Sequence, residues 1–216
     1  MIQLETVVIS ANKNETNRLE APIVVHVMTP KLFENTNSVC LAQGLSFQPG
    51  LRVETNCQNC GFQQVRINGL DGPYTQLLLD GKALFSSLNG VYGIEQIPTG
   101  MIERVEVMRG GGSALYGANA IGGTVNIITK EPLNNLFMIS HNLTAIGNSA
   151  YDNTTSLNTS LVNSQRDAGI YLFGTSRHRQ HYDHDGDHFS EIGKLKLTTL
   201  GFRSFYKPTS QTKLTL

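Results

Sequence analysis

Residues 104–132 read RVEVMRGGGSALYGANAIGGTVNIITKEP, two strand-like runs joined by a segment that is rich in glycine. A glycine loop that follows a strand has two common uses. It cradles a phosphate group, or it lets the backbone turn tightly inside a packed domain. The choice between these two uses decides the fold.

Two phosphate-binding patterns fail on this stretch. A Walker loop ends in Gly-Lys followed by Ser or Thr, but Gly112 is followed by Ser and Ala. A dinucleotide fingerprint that starts at Gly110 requires glycine where Leu115 stands. We therefore interpret the stretch as a tight elbow between two strands of a packed domain, with Tyr116 as an anchor.

The composition of the chain is neutral and moderately apolar. It has 216 residues, and its 17 Lys and Arg balance 17 Asp and Glu, which gives no general reason to expect nucleic acid or an anionic surface as a partner. No apolar run has the length of a transmembrane helix, and the first residues lack the basic and apolar regions of a signal peptide. These features predict either a cytosolic protein or one whose start lies upstream.

The chain before Pro132 mixes strand-like and helix-like segments, which predicts an α+β domain with a mixed β-sheet. The main helical segment, 31–47, has apolar residues at helical spacing and is followed by a Pro-Gly stop. Residues 75–79 form a strand that ends in Asp-Gly, a hairpin-type turn. A short helix is also predicted within 98–103. The other strand-like segments are 7–10, 23–28, 51–55, 63–68 and 105–108.

The chain after Pro132 alternates apolar and polar residues in segments of about ten residues, which is typical of membrane β-barrel strands. Polar connections at 148–153 and 179–190 alternate with tight turns at 164–167 and 208–211. Long loops on one side and short turns on the other indicate an outer-membrane barrel. A soluble antiparallel sheet is the alternative, and the alternation alone does not decide between the two.

Four segments, in chain order, resemble the plug domain of TonB-dependent outer-membrane receptors. The glycine-rich stretch, extended to IERVEVMRGGGSALYGANAIGGTVNIITK (102–130), resembles the C-terminal signature of that plug. The segment NCQNCGF, together with RINGL, resembles receptors of the Bacteroidetes type. Of the other three segments, ETVVISAN (5–12) is similar to a TonB box followed by the entry of the plug. GLSFQPGLRVE (44–54) is similar to the helix-PG-strand element of the plug. VRINGLDGPYTQLLLDGKALF (65–85) is similar to the core of the plug.

The resemblance implies three parts of the chain. A TonB-box-like segment at 1–12 precedes an α+β plug at 13–132 with a mixed sheet. The first four to five antiparallel strands of a truncated transmembrane β-barrel follow at 133–216. Because a barrel of this family has about 22 strands, the chain is expected to be a fragment. Its expected place is the outer membrane, as a monomer, with the plug and the N-terminus toward the periplasm.

The function that the resemblance implies is active uptake of a scarce extracellular ligand, with no catalytic role. The ligand would be cobalamin, haem or a ferric siderophore, and the other partners would be TonB and outer-membrane lipid. The alternative is a soluble ligand-binding or signalling module that carries a plug-like domain. The two differ in the apolar face of 137–206, which faces lipid in a receptor and packs inward in a soluble module.

The resemblance also implies three sets of contact residues. Arg104 and Glu106 are predicted to share one face of a strand. Together with Arg109 they would contact the barrel wall. The alternative is that these three residues are solvated surface charges. TonB would bind the TonB box by pairing with it as an added strand. The alternative is that the same segment is an ordinary edge strand. The residues of the box are Glu5, Thr6, Val7, Val8 and Ile9. Apical loops would meet the ligand at Asn56, Cys57, Gln58, Asn59, Cys60, Leu88, Asn89 and Tyr92.

Cys57 and Cys60 form a CxxC pattern between two strands. Zinc requires two more ligands at set spacing, and none is close in sequence. A thioredoxin-like motif opens a helix, whereas a strand follows here. In the oxidising periplasm that the resemblance implies, the two cysteines are expected to form a disulfide that stiffens the apex. Cys40 is expected to be a small buried hydrophobic residue.

The loop RHRQHYDHDGDHFSE (177–191) is rich in acids and histidines. Asp183, Asp185 and Asp187 alternate, with Glu191 four residues beyond, and such carboxylates supply the hard oxygens that Ca²⁺ prefers. The pattern is not an EF-hand, because its glycine stands at the fourth position instead of the sixth. Cobalamin receptors of the resembled family hold calcium in an early extracellular loop. Two alternatives stay open, a hydrated polar loop and Zn²⁺, Ni²⁺ or haem iron on histidines: His178, His181, His184 and His188.

Overall fold

The computed structural model describes residues 7–8, 10, 16–17, 19–21, 23–57, 62–84, 93–209 and 211–216. The chain divides into two compact units. Unit 1 comprises 1–56, 62–95 and 102–129, and unit 2 comprises 57–61, 96–101 and 130–216. None of the helices within the described ranges has the length and apolar content needed to span a bilayer.

The elements described in unit 1 are short, and most of them are strands. The helices are α1 (Pro30–Asn35), α2 (Leu41–Leu45) and α3 (Ser113–Tyr116). The strands are, in chain order, β1 (Val7–Val8), β2 (Thr16–Asn17), β3 (Val25–Met28), β4 (Leu51–Cys57), β5 (Phe62–Ile67), β6 (Thr75–Leu79), β7 (Lys82–Ala83), β8 (Ile102–Arg109) and β9 (Gly123–Thr129).

The main sheet of unit 1 has the strand order β3-β8-β9-β6-β7. Strands β6 and β9 run parallel, and the other neighbouring pairs are antiparallel, so the predicted mixed sheet is confirmed. The two central strands, β8 and β9, supply fully buried side chains such as Val105, Val107 and Ile127. Two smaller sheets pair β1 with β2 and β4 with β5.

The glycine-rich stretch connects β8 to β9, which are antiparallel neighbours. A nucleotide-binding glycine loop instead leads from a strand of a parallel sheet into the helix of a βαβ unit. The elbow interpretation is therefore confirmed. Gly110 and Gly111 both have a φ of 66°, a left-handed conformation that glycine adopts without strain. The Gly110 N–H donates to the Gly122 carbonyl at 2.9 Å and closes the turn.

The prediction of one helix over 31–47 is wrong, because two short helices, α1 and α2, occupy this segment. Asn37 lies between them with a φ of 52°, which ends the helical path. Apolar residues of both short helices are buried, and the two helices pack against each other. A Cβ atom at Gly44 in α2 would lie 2.1 Å from Phe33 Cε1 in α1. The short helix predicted within 98–103 is a 3₁₀ turn at Thr99–Met101, after which β8 begins.

The strands of unit 2 form one antiparallel, five-stranded sheet in sequence order, as the alternating pattern predicts. The strands are longer than those of unit 1. They are β10 (Leu136–Ile146), β11 (Ala150–Val162), β12 (Ala168–Arg179), β13 (Leu195–Thr209) and β14 (Thr212–Thr215).

One predicted loop of unit 2 is wrong. The connection between β10 and β11 was predicted at 148–153, but it covers only 147–149. The reason is that β11 begins at Ala150, which pairs with Ile146 at the end of β10. The long connection between β12 and β13 covers 180–194 and contains the acidic loop. A bridge between Tyr182 and Ile192 closes the base of this loop.

Candidate functional sites

Ser10 lies in a buried polar cluster of unit 1. Its N–H and its hydroxyl both donate to Glu106 Oε2, at 2.8 and 2.7 Å. Its Oγ accepts from Asn126 Nδ2 at 3.1 Å, and its carbonyl accepts from the Tyr116 hydroxyl at 3.0 Å. Ser10, Glu106 and Asn126 are each 0% exposed. Every polar group of Ser10 therefore has a partner elsewhere in unit 1.

The register of the main sheet assembles this cluster. Glu106 of β8 and Asn126 of β9 are direct cross-strand partners, so their side chains leave the same face of the sheet. Arg104 donates from Nε to Glu106 Oε1 at 2.8 Å, which confirms the prediction that these two residues share a face. The arginine compensates a carboxylate that would be costly to bury alone.

Burial raises the pKa of the Tyr116 hydroxyl, and the negative charge of Glu106 raises it further. Because the folded pKa lies above the unfolded one, Tyr116 contributes stability while it is protonated. That contribution is lost as the pH rises through the folded pKa, above about 10.

We expect the urea midpoint of the full-length protein to fall between about pH 9 and about pH 11, and to fall by more in the wild type than in Tyr116→Phe. Equal falls in both proteins, measured by pulse proteolysis, contradict this prediction.

Arg109 lies at the end of β8 against a turn of unit 1. Its Nη2 donates to the Pro49 carbonyl, and a Cβ atom at Gly50 would lie 2.7 Å from its guanidinium carbon. Its Nε is buried and has no hydrogen-bond partner within the described ranges. The contacts of Arg104, Glu106 and Arg109 with a barrel wall stay a prediction.

Several predicted contact residues lie outside the described residues. For the TonB box, Val7 and Val8 form β1, and Val8 is 0% exposed. Of the predicted disulfide, only the Cys57 backbone is described, as the last residue of β4. Cys40 is buried, as predicted. The predicted residues that lie outside are Glu5, Thr6, Ile9, Gln58, Asn59, Cys60, Leu88, Asn89 and Tyr92, and of Asn56 and Cys57 only the backbone is described.

The sheet of unit 2 has two chemically different faces. The first, here the apolar face, carries exposed large hydrophobic side chains with relative accessibilities from 36% to 84%. The second, here the polar face, carries buried polar side chains. The apolar face includes Phe137, Ile139, Leu157, Leu161, Leu172, Leu200 and Phe202. The polar face includes Asp152, Thr154, Asn158, Ser160, Thr175 and Arg177.

Hydrogen bonds join several polar side chains of the polar face within unit 2. Arg177 donates to both carboxylate oxygens of Asp152, with Nε–Oδ1 and Nη2–Oδ2 distances of 3.0 and 2.6 Å. The Tyr171 hydroxyl donates to the Gly100 carbonyl at 2.6 Å and lies 3.2 Å from Asn158 Oδ1. A buried bidentate pair of this kind holds its two strands in one register.

The acidic loop of unit 2 brings its four predicted metal ligands together. One carboxylate oxygen from each lies within 4.8 Å of one from every other. The four residues are Asp183, Asp185, Asp187 and Glu191. Asp183 is partly buried and the other three are exposed. Within the described ranges, no histidine belongs to a comparable group.

The carboxylates of this loop also shape its backbone. Asp183 accepts N–H bonds from Gly186 and His188, at 2.7 and 3.0 Å. Asp187 accepts from Phe189 N at 2.8 Å, and Glu191 accepts from His184 N at 2.6 Å. Such bonds from an acid to a nearby backbone N–H stabilise turns. The carboxylates are thus held near one another by the loop itself.

The sequence interpretation did not identify Ser10, Asn126 or the pair of Asp152 and Arg177. A signal exists for Asn126 and Glu106, which are single polar residues inside the buried apolar runs VNII and VEVM. A buried polar side chain requires a partner, so each such residue indicates a polar cluster. The partner itself is distant in sequence and has no local signal.

Comparison with known proteins places unit 1 in a recognised family. Residues 17–124 match the TonB-dependent Receptor Plug Domain. A curated relative, "Vitamin B12 transporter BtuB" of Vibrio vulnificus (strain CMCP6), is 35% identical over 127 residues, which are 59% of this chain and 21% of that protein. The BtuB of Vibrio cholerae serotype O1 (strain M66-2) is 31% identical over 126 residues, 58% and 21% of the two chains. The chain thus spans about a fifth of the length of these relatives.

Solved structures share the fold beyond the plug. The siderophore receptor PirA from Acinetobacter baumannii aligns with a TM-score of 0.73 at 24% identity, over 88% of this chain and 30% of that chain. The P. aeruginosa FpvA, bound to a heterologous pyoverdine, aligns with a TM-score of 0.73 at 18% identity, over 97% and 26% of the two chains. The mixed-sheet domain and the antiparallel strands after it therefore have the fold of these proteins.

Proposed function

The chain belongs to the family of TonB-dependent receptors, and from this membership we propose that the whole protein imports a scarce ligand across the outer membrane. Unit 1 is the plug, and unit 2 supplies strands of the barrel wall. The plug and the N-terminus are on the periplasmic side. The protein acts by binding and conformational change, with no catalytic step.

The observation that carries the proposal is the direction of the apolar face of unit 2. A soluble module must pack such a face inward, because large exposed apolar patches are unfavourable in water. Here Leu200 is 84% exposed and Phe137 is 70% exposed, whereas Asn158 and Arg177 on the polar face are buried. A sheet with exposed apolar side chains on one face and polar side chains on the other is the arrangement of barrel strands in lipid, which favours a receptor over a soluble module.

TonB is the proposed periplasmic partner, and it pairs with the box segment as an added strand. The box is Glu5, Thr6, Val7, Val8 and Ile9. In its support, the two box residues that the structure describes, Val7 and Val8, form β1, which pairs antiparallel with β2. This part of the box therefore already has the extended backbone that strand addition requires.

Cobalamin is the proposed first choice of ligand, with haem and ferric siderophores as the other candidates. In its support, two curated relatives that are similar to 58–59% of this chain are vitamin B12 transporters. The apical segments that hold Cys57, Leu88 and Tyr92 are the proposed contacts, and a Cys57–Cys60 disulfide would stiffen them.

Calcium is the proposed ion of the acidic loop. The donor set fits, because four carboxylates with oxygens within 4.8 Å of one another match the hard oxygen ligands of Ca²⁺. Bound calcium would neutralise acidic charge and so stabilise the loop in one conformation. The residues that hold it would be Asp183, Asp185, Asp187 and Glu191.

Plug–barrel contact is the proposed role of Arg109, and of Arg104 and Glu106 on the same strand, β8. The buried Nε of Arg109 without a described partner supports this role, since a buried donor normally has an acceptor. A carboxylate on the lumen side of the wall would provide one.

The full-length gene, expressed in a host that lacks its own cobalamin, haem and siderophore receptors, tests the function. We expect the protein in the outer-membrane fraction and restored growth on at least one of the three ligands as sole source. Growth should disappear when the host's tonB gene is deleted, since uptake depends on that energy coupling. A soluble product, or growth that does not depend on tonB, contradicts the proposal.

A further inference from the structure

Ser10 directly follows the TonB-box segment at 5–9, and it is held more firmly than an ordinary residue of a surface strand. Its N–H, hydroxyl and carbonyl are all engaged, and two of these bonds go to a carboxylate. Hydrogen bonds to an ionised group are roughly twice as strong as neutral ones. Ser10 is therefore the first described position after the box at which a pull would meet firm resistance.

The partners of Ser10 lie on three different parts of the plug. Glu106 is on β8 and Asn126 is on β9, the two strands next to each other inside the main sheet. Tyr116 ends α3, within the glycine-rich stretch that joins those strands. Asn126 also accepts from the Gly81 N–H at 2.9 Å, beyond the end of β6. A force on Ser10 is thus distributed over the centre of the sheet and its connecting turn.

We propose that Ser10 is the anchor through which tension on the TonB box reaches the plug sheet, with Glu106 as the positioning residue that holds it. This inference rests on the proposed function, since it requires a partner that pulls the box. The same contacts keep the box docked when no partner is attached. Both the resting position of the box and the transmission of force then depend on one serine.

The charge of Glu106 makes this anchor reversible. When Ser10 is drawn away, the carboxylate loses two donors while it stays inside the domain, where an under-compensated charge is unfavourable. Arg104 still donates to Oε1, but the two hydrogen bonds that Ser10 gives to Oε2 are lost. Either water enters beside β8 or Ser10 returns, so the anchor restores itself when tension ends.

Ser10→Ala and Glu106→Gln in the full-length receptor test the proposal. Ser10→Ala removes the hydroxyl, and Glu106→Gln removes the charge at nearly constant shape. Both should raise the affinity of the purified periplasmic domain of TonB for the receptor without external ligand, by several-fold, because Ser10 is held less firmly in each variant. Both should also lower the maximal rate of radiolabelled cyanocobalamin uptake by about tenfold, the scale of one lost charge-assisted hydrogen bond.

Two controls separate anchoring from general destabilisation. Ser10→Thr keeps the hydroxyl and should restore both measurements to near the wild-type values. Glu103→Gln, an exposed position on the same strand, should leave both unchanged. The dissociation constant for cyanocobalamin should stay within about twofold in all variants, since the anchor is not proposed to touch the ligand.

The outcomes distinguish this inference from the proposed function. A wild-type receptor that imports cyanocobalamin, with Ser10→Ala unchanged in uptake and in TonB affinity, overturns the anchor and leaves the function intact. A parallel loss of uptake, TonB affinity and urea midpoint indicates a structural role only and also overturns it. A wild type that neither imports the probe nor binds the TonB domain overturns both proposals. If Glu106→Gln does not fold, the comparison of Ser10→Ala with Ser10→Thr decides the question.

Discussion

Replacement of Gly123 by alanine is expected to lower the free energy of unfolding of the plug by on the order of 4 kcal/mol. The added Cβ would lie 2.2 Å from the Met108 carbonyl oxygen and 3.0 Å from Ile67 Cδ1. The residue also has a φ of 143°, a conformation that is essentially restricted to glycine. Steric overlap and backbone strain therefore add at one position, where β9 begins beside β8.

Gly117→Ala is the matched control for Gly123→Ala. Gly117 has a φ of 92° and a ψ of 180°, so alanine is strained there too, but no atom lies within 4 Å of the added Cβ. Strain alone should cost about 1 to 3 kcal/mol. The measurement is the urea midpoint of plug proteolysis in the full-length protein. If Gly123→Ala is no less stable than Gly117→Ala, the close approach of the two strands at this point is not rigid.

Removal of three acidic charges from the loop of unit 2 is expected to weaken calcium binding by at least about 100-fold. The variant is Asp183→Asn, Asp185→Asn and Asp187→Asn together. A divalent ion about 4 Å from each carboxylate is attracted by about 2 kcal/mol even in water, and a tenfold change corresponds to about 1.4 kcal/mol. Asparagine keeps one side-chain oxygen, which preserves the single N–H bonds that Asp185 and Asp187 accept and one of the two that Asp183 accepts, so most of the hydrogen bonds that shape the loop should survive.

Isothermal titration of the full-length protein with CaCl₂ measures this effect. The matched control removes three exposed carboxylates from unit 1, with the same change of net charge: Glu20→Gln, Glu34→Gln and Glu103→Gln. The control should bind calcium like the wild type. Unchanged affinity in the loop variant removes the calcium hypothesis. A titration with ZnCl₂ tests the alternative in which the loop histidines bind the metal.

The architecture of the chain was predictable because its signals are local. The alternation after Pro132 requires only that neighbouring side chains point to opposite sides of a strand, and the structure has five such strands in sequence order. The helix over 31–47 was mispredicted because apolar spacing does not report a break. Asn37 takes a left-handed conformation there, and α2 packs against Phe33 of α1, a contact that the spacing of apolar residues does not show.

The candidate sites divide in the same way. The acidic loop was predictable, since its four acids lie within nine residues and the turns between them are short. The Ser10 cluster was not, because Ser10 meets Glu106 and Asn126 at separations of 96 and 116 residues. A serine before an Ala-Asn pair carries no sign that it is buried.

From the amino acids alone follow the mixed-sheet domain, the glycine elbow without a nucleotide, the antiparallel strands and the acidic loop. Each depends on spacing within about 30 residues, where backbone geometry limits the outcomes to a few. The tertiary structure was needed to show that the apolar face of unit 2 is exposed and that Glu106 is buried against Ser10. Burial is a property of the whole assembly, because the residues that exclude water from a side chain lie anywhere in the chain.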